Sequence, residues 1–297
     1  LHPGRTEQMG AVSMRFLVFG AGGMAGHTVA TYLAEQGHEV LGFDRVKVGY
    51  CPALAGDVRD LDAVRQLVRD GRFDSVINCI GILNQFAEEA KELAVFLNSY
   101  FPHFLAEVTK DSDTQVIQMS TDCVFSGKKG GYTETDLRDG ETFYDRTKAL
   151  GELEDTKNIT LRNSIVGPDP NAKGIGLFNW FMKQRETVAG YTGVLWTGVT
   201  TLQLAKTMEY AATVKAAGLY HLVYREPISK YGLLKLFNKW MRNETLTVRP
   251  SDALVADKSL KRTRFDFDYI IPDYEAMIAD MADWIRKHQS YYPHYWD

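Results

Sequence analysis

The stretch Gly20-Ala21-Gly22-Gly23-Met24-Ala25-Gly26 decides how this sequence is read. Before it stands Arg15-Phe16-Leu17-Val18-Phe19, an apolar run of strand length. After it, His27 to Gln36 carries Val29, Ala30, Leu33 and Ala34 on one helical face. The glycines therefore occupy a strand-to-helix turn. Such a turn needs residues without a Cβ, because the backbone bends sharply and a ligand must approach its N–H groups. The following helix points its positive end at that ligand, which suits a pyrophosphate. The spacing from Gly20 to Gly23 to Gly26 is G-x-x-G-x-x-G, and alone it describes a ligand-free turn equally well. The flanking strand and helix favour a dinucleotide site. Gly20, Gly22, Gly23, Met24, Ala25 and Gly26 are its expected cofactor contacts.

Further along, Glu39 to Asp44 reads as a second strand ending in an acid. Asp44 lies about 20 residues after the loop, where a carboxylate accepts hydrogen bonds from the adenosine ribose and favours NAD over NADP. Arg45 could instead meet a 2′-phosphate, and Asp44 could be an ordinary turn residue; NAD is the favoured cofactor. Ala53 to Val58 is a short strand leading into a turn. Asp57 there, next to Val58, could bond the adenine amino group or be a loop acid, and Asp60 caps a helix through Arg69. Ser75-Val76-Ile77-Asn78-Cys79-Ile80-Gly81 is apolar and β-branched, as a buried parallel strand should be. It brings Cys79, Ile80 and Gly81 close to a cofactor. Ala87 to Thr109 reads as one long helix. Asn98 inside it has poor propensity, which means either a side chain fixing a nearby turn or solvent exposure.

Thr114 to Ser120 is a fifth strand running into Thr121-Asp122-Cys123-Val124-Phe125-Ser126-Gly127. Carboxyl ends of strands face the crevice of a doubly wound sheet, so Ser120 and Thr121 belong beside the nicotinamide end. Lys128 to Glu141 reads as a mobile loop. In the helix Phe143 to Glu152, Tyr144 and Lys148 are one turn apart and share a face. A phenol titrates near pH 10 and an adjacent ammonium lowers that value, which makes the pair suitable for acid-base work. Ile159 to Val166 is a sixth strand. The alternation of strand and helix defines an α/β fold, a Rossmann-type doubly wound parallel sheet with a smaller C-terminal substrate lobe. The expected division is 14–167 for the nucleotide-binding domain, with 199–223 returning to it, and 168–297 mainly for the lobe. Helices are expected over Ile175–Glu186, Thr201–Ala217, Lys230–Met241 after a Ser229 cap, and Asp273–His288. A strand is expected at Gly218–Val223. The aromatic tail from Tyr291 to Trp296 should dock on the body or on a second subunit. Residues 1–13 read as a leader or appended remnant before a start at Met14.

These motifs make the chain similar to the extended short-chain dehydrogenase/reductases, and within them to the dTDP-4-dehydrorhamnose reductases and related nucleotide-sugar reductases. The matching residues are the glycine loop, Ser120-Thr121-Asp122-Cys123-Val124-Phe125-Ser126-Gly127, Tyr144-Asp145-Arg146-Thr147-Lys148 and Leu161-Arg162-Asn163-Ser164. Gly198-Val199-Thr200-Thr201 and Asp257 to Thr263 complete the set. The resemblance implies a catalytic trio of Thr121, Tyr144 and Lys148. Hydride passes from NAD(P)H to a ketone on a nucleotide sugar, Tyr144 protonates the alkoxide and Thr121 bonds the same oxygen. It implies substrate contacts at Thr121, Asp122, Val124, Phe125, Ile165 and Trp196, and cofactor contacts at Asn98, Tyr144 and Lys148. Ile165 stands where these reductases place a tryptophan, and Asp145 replaces a usual glycine. An epimerase or dehydratase retaining NAD is the alternative, as is a non-catalytic NAD(P)-binding subunit or a redox-sensing regulator.

Composition sets the remaining bounds. The 297 residues are 45% hydrophobic and 24% charged, with a formal charge of -4 and no basic tract, so nucleic acid is not an expected partner. No apolar run approaches membrane-spanning length. Three scattered cysteines, Cys51, Cys79 and Cys123, fit a reducing, cytoplasmic setting and argue against disulfides or a zinc site. The seven histidines form no metal-binding spacing, so no metal is expected, and a homodimer is a possible assembly.

Overall fold

A computed structural model describes residues 12–296. Most of the expected leader, residues 1–11, lies outside the described residues. The first strand, β1 (Arg15–Phe19), is buried on both faces. Phe16 and Val18 enter one apolar cluster while Leu17 and Phe19 enter another, all with no exposed surface. That alternation places β1 inside an α/β sheet. α1 (Met24–Glu35) returns the chain to β2 (Glu39–Asp44), and β3 (Ala53–Ala55) pairs outside it. α2 (Leu61–Gly71) starts at Asp60, whose carboxylate accepts the Ala63 N–H at 3.1 Å, and leads to β4 (Ser75–Asn78).

The span expected as one long helix is broken. α3 (Asn84–Glu89) stops at Ala90, which has the non-helical angles φ -124° and ψ 64°. α4 (Lys91–Ala94) passes into a π-helical segment, Val95–Tyr100, before α5 (Phe101–Thr109). β5 (Gln115–Thr121), α6 (Phe143–Leu150) and β6 (Ile159–Asn163) follow. The sixth strand ends at Asn163 because the Ser164 carbonyl turns to accept the Val199 N–H at 2.9 Å. β7 (Ile165–Val166) then pairs with a later strand instead of the main sheet.

α7 (Leu177–Met182) is shorter than expected. β8 (Thr187–Trp196), β9 (Val199–Thr200), α8 (Thr201–Thr213), β10 (Gly218–His221) and β11 (Ile228–Ser229) come next. α9 (Lys230–Arg242) is capped by Ser229, and β12 (Thr247–Asp257) and α10 (Tyr274–Lys287) complete the elements that matter here. β8 and β12 were not apparent from sequence; with β11 they form a three-stranded sheet in the order β11-β8-β12.

The central seven-stranded sheet has the order β10-β6-β5-β4-β1-β2-β3, and each of its pairs is parallel. The order reverses beside β1, which opens a crevice at the carboxyl edge over the glycine turn. The segment 128–141 is pinned, contrary to expectation. Tyr132 is buried and stacked on Phe125 at 4.3 Å, its hydroxyl accepts the Gly127 and Lys129 N–H groups, and Arg138 pairs with Glu152 and Glu154. The aromatic tail docks on the chain's own body. Tyr292 and the His27 ring share a 2.7 Å hydrogen bond, and the Tyr295 hydroxyl accepts the Asp169 N–H at 2.9 Å. Among the described residues no helix is long and apolar enough to cross a membrane.

Candidate active site

β1 delivers the chain to Gly20, whose φ of +78° favours glycine. The Gly20 N–H donates to the Phe43 carbonyl at 2.9 Å, and the Gly20 carbonyl accepts the Gly23 N–H at 3.0 Å. A Cβ on Gly26 would stand 2.0 Å from that same carbonyl oxygen, so α1 can begin this close to the turn only with glycine there. α1 has no side-chain cap and no acidic residue in its first turn. Its leading N–H groups, at Met24, Ala25 and Gly26, have no acceptor within the helix. An uncapped, partly positive helix end over a turn without Cβ atoms fits a pyrophosphate.

Asp44 closes one side of this turn. Its Oδ2 accepts the Gly22 N–H at 2.8 Å and its Oδ1 the Arg45 N–H at 2.7 Å, while the Arg45 side chain is exposed. Asp57 is taken up by Arg59, whose hydrogen bonds hold the carboxyl below its usual range. Val58 is buried in the apolar layer beneath. On the other side, a Cβ on Gly20 would meet Ile80 Cγ1 at 3.1 Å and the Cys79 carbonyl carbon at 3.2 Å, so the end of β4 lies against the turn. A Cβ on Gly81 would lie 3.4 Å from Asn98 Oδ1 and 4.0 Å from Lys148 Nζ. Asn98 is fully buried. It accepts the Ile82 N–H at 2.9 Å and donates to the Ile82 carbonyl at 3.0 Å, so it fixes the turn after β4 and is not solvent-exposed. The π-helical segment is what turns it inward.

α6 starts on a capping box. Thr142 Oγ1 accepts the Asp145 N–H at 3.0 Å and Asp145 Oδ2 accepts the Thr142 N–H at 3.1 Å, which gives Asp145 a structural task. The helix so placed buries Tyr144 and Lys148, 7% and 4% exposed. The Thr121 side chain lies near the Tyr144 phenol. Thr121 Oγ1 also accepts the Cys123 N–H at 3.1 Å and donates to Asp122 at 3.2 Å. Lys148 Nζ donates to the Met119 carbonyl at 2.7 Å. Burial pushes the phenol well above its ordinary value, with Cys123 adding to the rise and Thr121 opposing it. Burial likewise lowers Lys148 to about 8, against the pull of Glu152 and Cys79. The sequence expectation that the ammonium lowers the phenol is therefore overturned by desolvation, which dominates both groups. A phenol that keeps its proton is suited to donating one.

Ser120 turns away from the crevice. Its hydroxyl donates to Glu152 at 2.6 Å, because alternate residues of β5 face opposite sides. Glu152 also receives Arg162 Nε at 2.8 Å and Nη2 at 2.6 Å, and Arg162 Nη1 lies 2.8 Å from the His221 ring. Burial alone would raise Glu152, yet Arg162, Ser120 and Arg138 hold it below the usual carboxylate range. Burial, reinforced by Arg162, pulls His221 down to about 4. Sequence reasoning missed this cluster; the signal was an arginine inside the apolar strand Ile159–Val166.

The expected substrate residues divide. Val124 and Phe125 are fully buried with Tyr132, Val223 and Leu260, and offer no side-chain surface to a ligand. Ile165 is half-buried on β7. Trp196 ends β8 almost fully buried, and its Nε1–H has no hydrogen-bond partner among the described residues. Burial raises Asp122 against Lys230 and Lys258, and lowers Lys230 against Asp122. Lys230 Nζ stands 5.5 Å from the centre of the Trp196 ring. Sequence reasoning did not single out Lys230, Lys258 or Asn163. Among the described residues no group of three or more metal-ligating side chains converges.

A parallel sheet with this strand order, a glycine turn at its reversal point and a buried Thr-Tyr-Lys cluster beside it define a nucleotide-binding fold of the extended short-chain dehydrogenase/reductase class. Residues 14–265 match the model of the RmlD substrate binding domain family, and the chain belongs to that family. It is 33% identical over 151 residues to dTDP-4-dehydrorhamnose reductase of Mycolicibacterium smegmatis, covering 50% of this chain and 43% of that protein. It is 35% identical over 143 residues to the probable low-salt glycan biosynthesis reductase Agl14 of Haloferax volcanii, covering 47% of this chain and 48% of that protein. The matches thus span a little under half the length of these curated relatives. The dTDP-4-dehydrorhamnose reductase of Salmonella typhimurium is 28% identical, with 90% of this chain and 97% of that protein covered. Among solved structures, dTDP-4-dehydrorhamnose reductase from Bacillus anthracis in complex with NADP shares the fold. Its TM-score is 0.76 at 19% identity, with 91% of this chain and 98% of that one covered.

Proposed function

We propose that this chain is an NAD(P)H-dependent oxidoreductase that reduces a keto group on a nucleotide-activated sugar, the reaction class its relatives' names describe. The observation that carries the reading is the buried, proton-holding Tyr144 phenol. It lies near Thr121 and one helical turn from Lys148, and on this reading it faces the crevice above the glycine turn. Bound NAD(P)H supplies the hydride. Tyr144 gives its proton to the oxygen of the ketone, and Thr121 holds the same oxygen. Lys148, anchored on the Met119 carbonyl, would hold the cofactor ribose. Asp44 favours NAD, since its carboxylate already closes the adenosine end. We assign the chain to the cytoplasm, the setting that suits its unpaired thiols.

The test is loss of reduced-nicotinamide absorbance with dTDP-4-dehydrorhamnose as substrate. Tyr144→Phe should lower turnover about 10²–10⁴-fold, the usual worth of general acid catalysis, while changing cofactor affinity far less. Turnover without added cofactor would favour an epimerase or dehydratase. Cofactor binding with no turnover of any nucleotide sugar would favour a non-catalytic subunit.

A further inference from the structure

His27 lies in the first turn of α1, fully buried. Its ring is held at both nitrogens. Nδ1 stands 2.9 Å from the Gly23 carbonyl oxygen, and Nε2 stands 2.7 Å from the Tyr292 hydroxyl. Thr28 Oγ1 is farther from Nε2, at 3.4 Å. Trp284 Nε1–H, from α10, donates to the same Tyr292 hydroxyl at 3.2 Å. The protons follow from what each group can do. A carbonyl oxygen only accepts, so Nδ1 carries the hydrogen. Burial pulls His27 down to about 4, so the ring is neutral at neutral pH and Nε2 is an acceptor. An indole N–H only donates, so the Tyr292 hydroxyl accepts from Trp284 and gives its own hydrogen to Nε2. Donation thus runs one way, from α10 through the aromatic tail and the imidazole to Gly23.

Gly23 is where this relay meets the glycine turn. Its carbonyl accepts the His27 backbone N–H at 3.0 Å as well as the ring Nδ1–H. In a planar trans peptide the C=O and N–H point in opposite directions. Two donors on the Gly23 oxygen therefore set the direction of the Met24 N–H, which has no acceptor within α1. Gly23 is exposed and Met24 half-buried, so this peptide lies at the surface of the turn. The ring is also held from the side. The Tyr50 ring centre is 5.5 Å from that of His27 and 4.8 Å from that of Tyr291. One imidazole thus ties the glycine turn to the segment after Asp44 and to the aromatic tail.

We propose that His27 and Tyr292 are positioning residues for the pyrophosphate of the cofactor. Tyr292 keeps the His27 proton on Nδ1, and Nδ1–H aims the Gly23–Met24 peptide so that its N–H faces the phosphate oxygens. Neither side chain touches the ligand. Without the hydroxyl, Nε2 loses its donor and the ring proton can move there, which leaves a lone pair against the Gly23 oxygen. This assignment rests on the reading of the glycine turn as an NAD(P) site.

Two measurements test it. Nitrogen NMR of the imidazole shows which nitrogen is protonated. The wild type should carry its proton on Nδ1, and in Tyr292→Phe the Nε2-protonated ring should appear. Calorimetric titration with NADH and with ADP-ribose, which keeps the pyrophosphate and lacks the nicotinamide ring, reads the consequence. Tyr292→Phe should lose about three- to tenfold for both ligands, the worth of one buried hydrogen bond. His27→Leu should lose about tenfold, and adding Tyr292→Phe to it should cost nothing more, since the hydroxyl acts through the ring. His27→Asn keeps a donor where Nδ1 stands and should stay within about twofold of the wild type. A wild type protonated at Nε2 overturns the assignment, as does unchanged affinity in Tyr292→Phe or His27→Leu. Further loss in the double variant, or equal loss in His27→Asn and His27→Leu, overturns it too. Failure of the wild type to bind ADP-ribose would instead refute the cofactor reading itself.

Discussion

Gly26→Ala is the sharpest perturbation the glycine turn allows. The new methyl would lie 2.0 Å from the Gly20 carbonyl oxygen, 2.7 Å from its carbon and 3.1 Å from Ala21 Cα, all backbone atoms that no rotamer change can move. An ordinary carbon–oxygen contact needs more than about 3 Å, so α1 and the turn must part by about 1 Å. Overpacking of that kind costs about 1–3 kcal/mol, and the better helix propensity of alanine returns about 1 kcal/mol at most. With that full return the expected net loss is up to about 2 kcal/mol, read by urea unfolding. The same shift displaces the Met24 and Ala25 N–H groups from a bound pyrophosphate, so NADH affinity should fall at least tenfold. Gly49→Ala is the control, since nothing lies within 4 Å of its added methyl, and it should change stability by under about 0.5 kcal/mol. A Gly26→Ala protein as stable as the control, with wild-type NADH affinity, would refute the account of this turn.

Two further outcomes follow from buried charge. His27 is pulled down to about 4 by burial, from an ordinary value near 6.5. Between these values the unfolded chain binds a proton that the folded one does not. Stability from this site is therefore complete above about pH 6.5 and falls as pH drops toward 4, by about 3 kcal/mol in all. His221 acts in the same direction; His27→Gln should flatten the loss measured by urea titration at pH 7 and pH 4.5, and an identical pH profile would contradict it. Arg162→Met leaves Glu152 buried with Arg138 and Ser120 alone, and should destabilise by about 3 kcal/mol. Restoring neutrality with Glu152→Gln in the same chain should recover part of that loss, and additive losses would argue against the pairing.

Local signals made the first half of the sheet and the core of the site readable. A glycine turn between an apolar strand and a helix, an acid closing the next strand, and a tyrosine and lysine one turn apart are all defined by short spacings. The lobe's sheet was not readable for a physical reason. β12 contains Pro250 and Asp252, and most of its residues are exposed, so it lacks both the propensity and the alternation of a strand. It forms because β8 pairs with it along most of its length. The helix broken at Ala90 fails oppositely: a strongly helix-favouring sequence yields to tertiary packing that turns Asn98 toward Ile82. The 128–141 segment has the composition of a loop, and only the stacking of Tyr132 on Phe125 reveals that it is fixed. The Glu152–Arg162–His221 cluster depends on partners far apart in the chain, which spacing alone does not expose.

The guanidinium of Arg162 sits at zero exposure between a carboxylate supplied just after α6 and an imidazole supplied by β10. Residues 164–217 separate β6 from the strand that carries that imidazole, yet the two strands lie side by side. A fragment cut after Val166 would leave β6 as a raw sheet margin with a half-quenched cation along it. The seven-stranded sheet is thus a unit in space but not along the chain, and a cut after Val166 would remove a wall of its own interior.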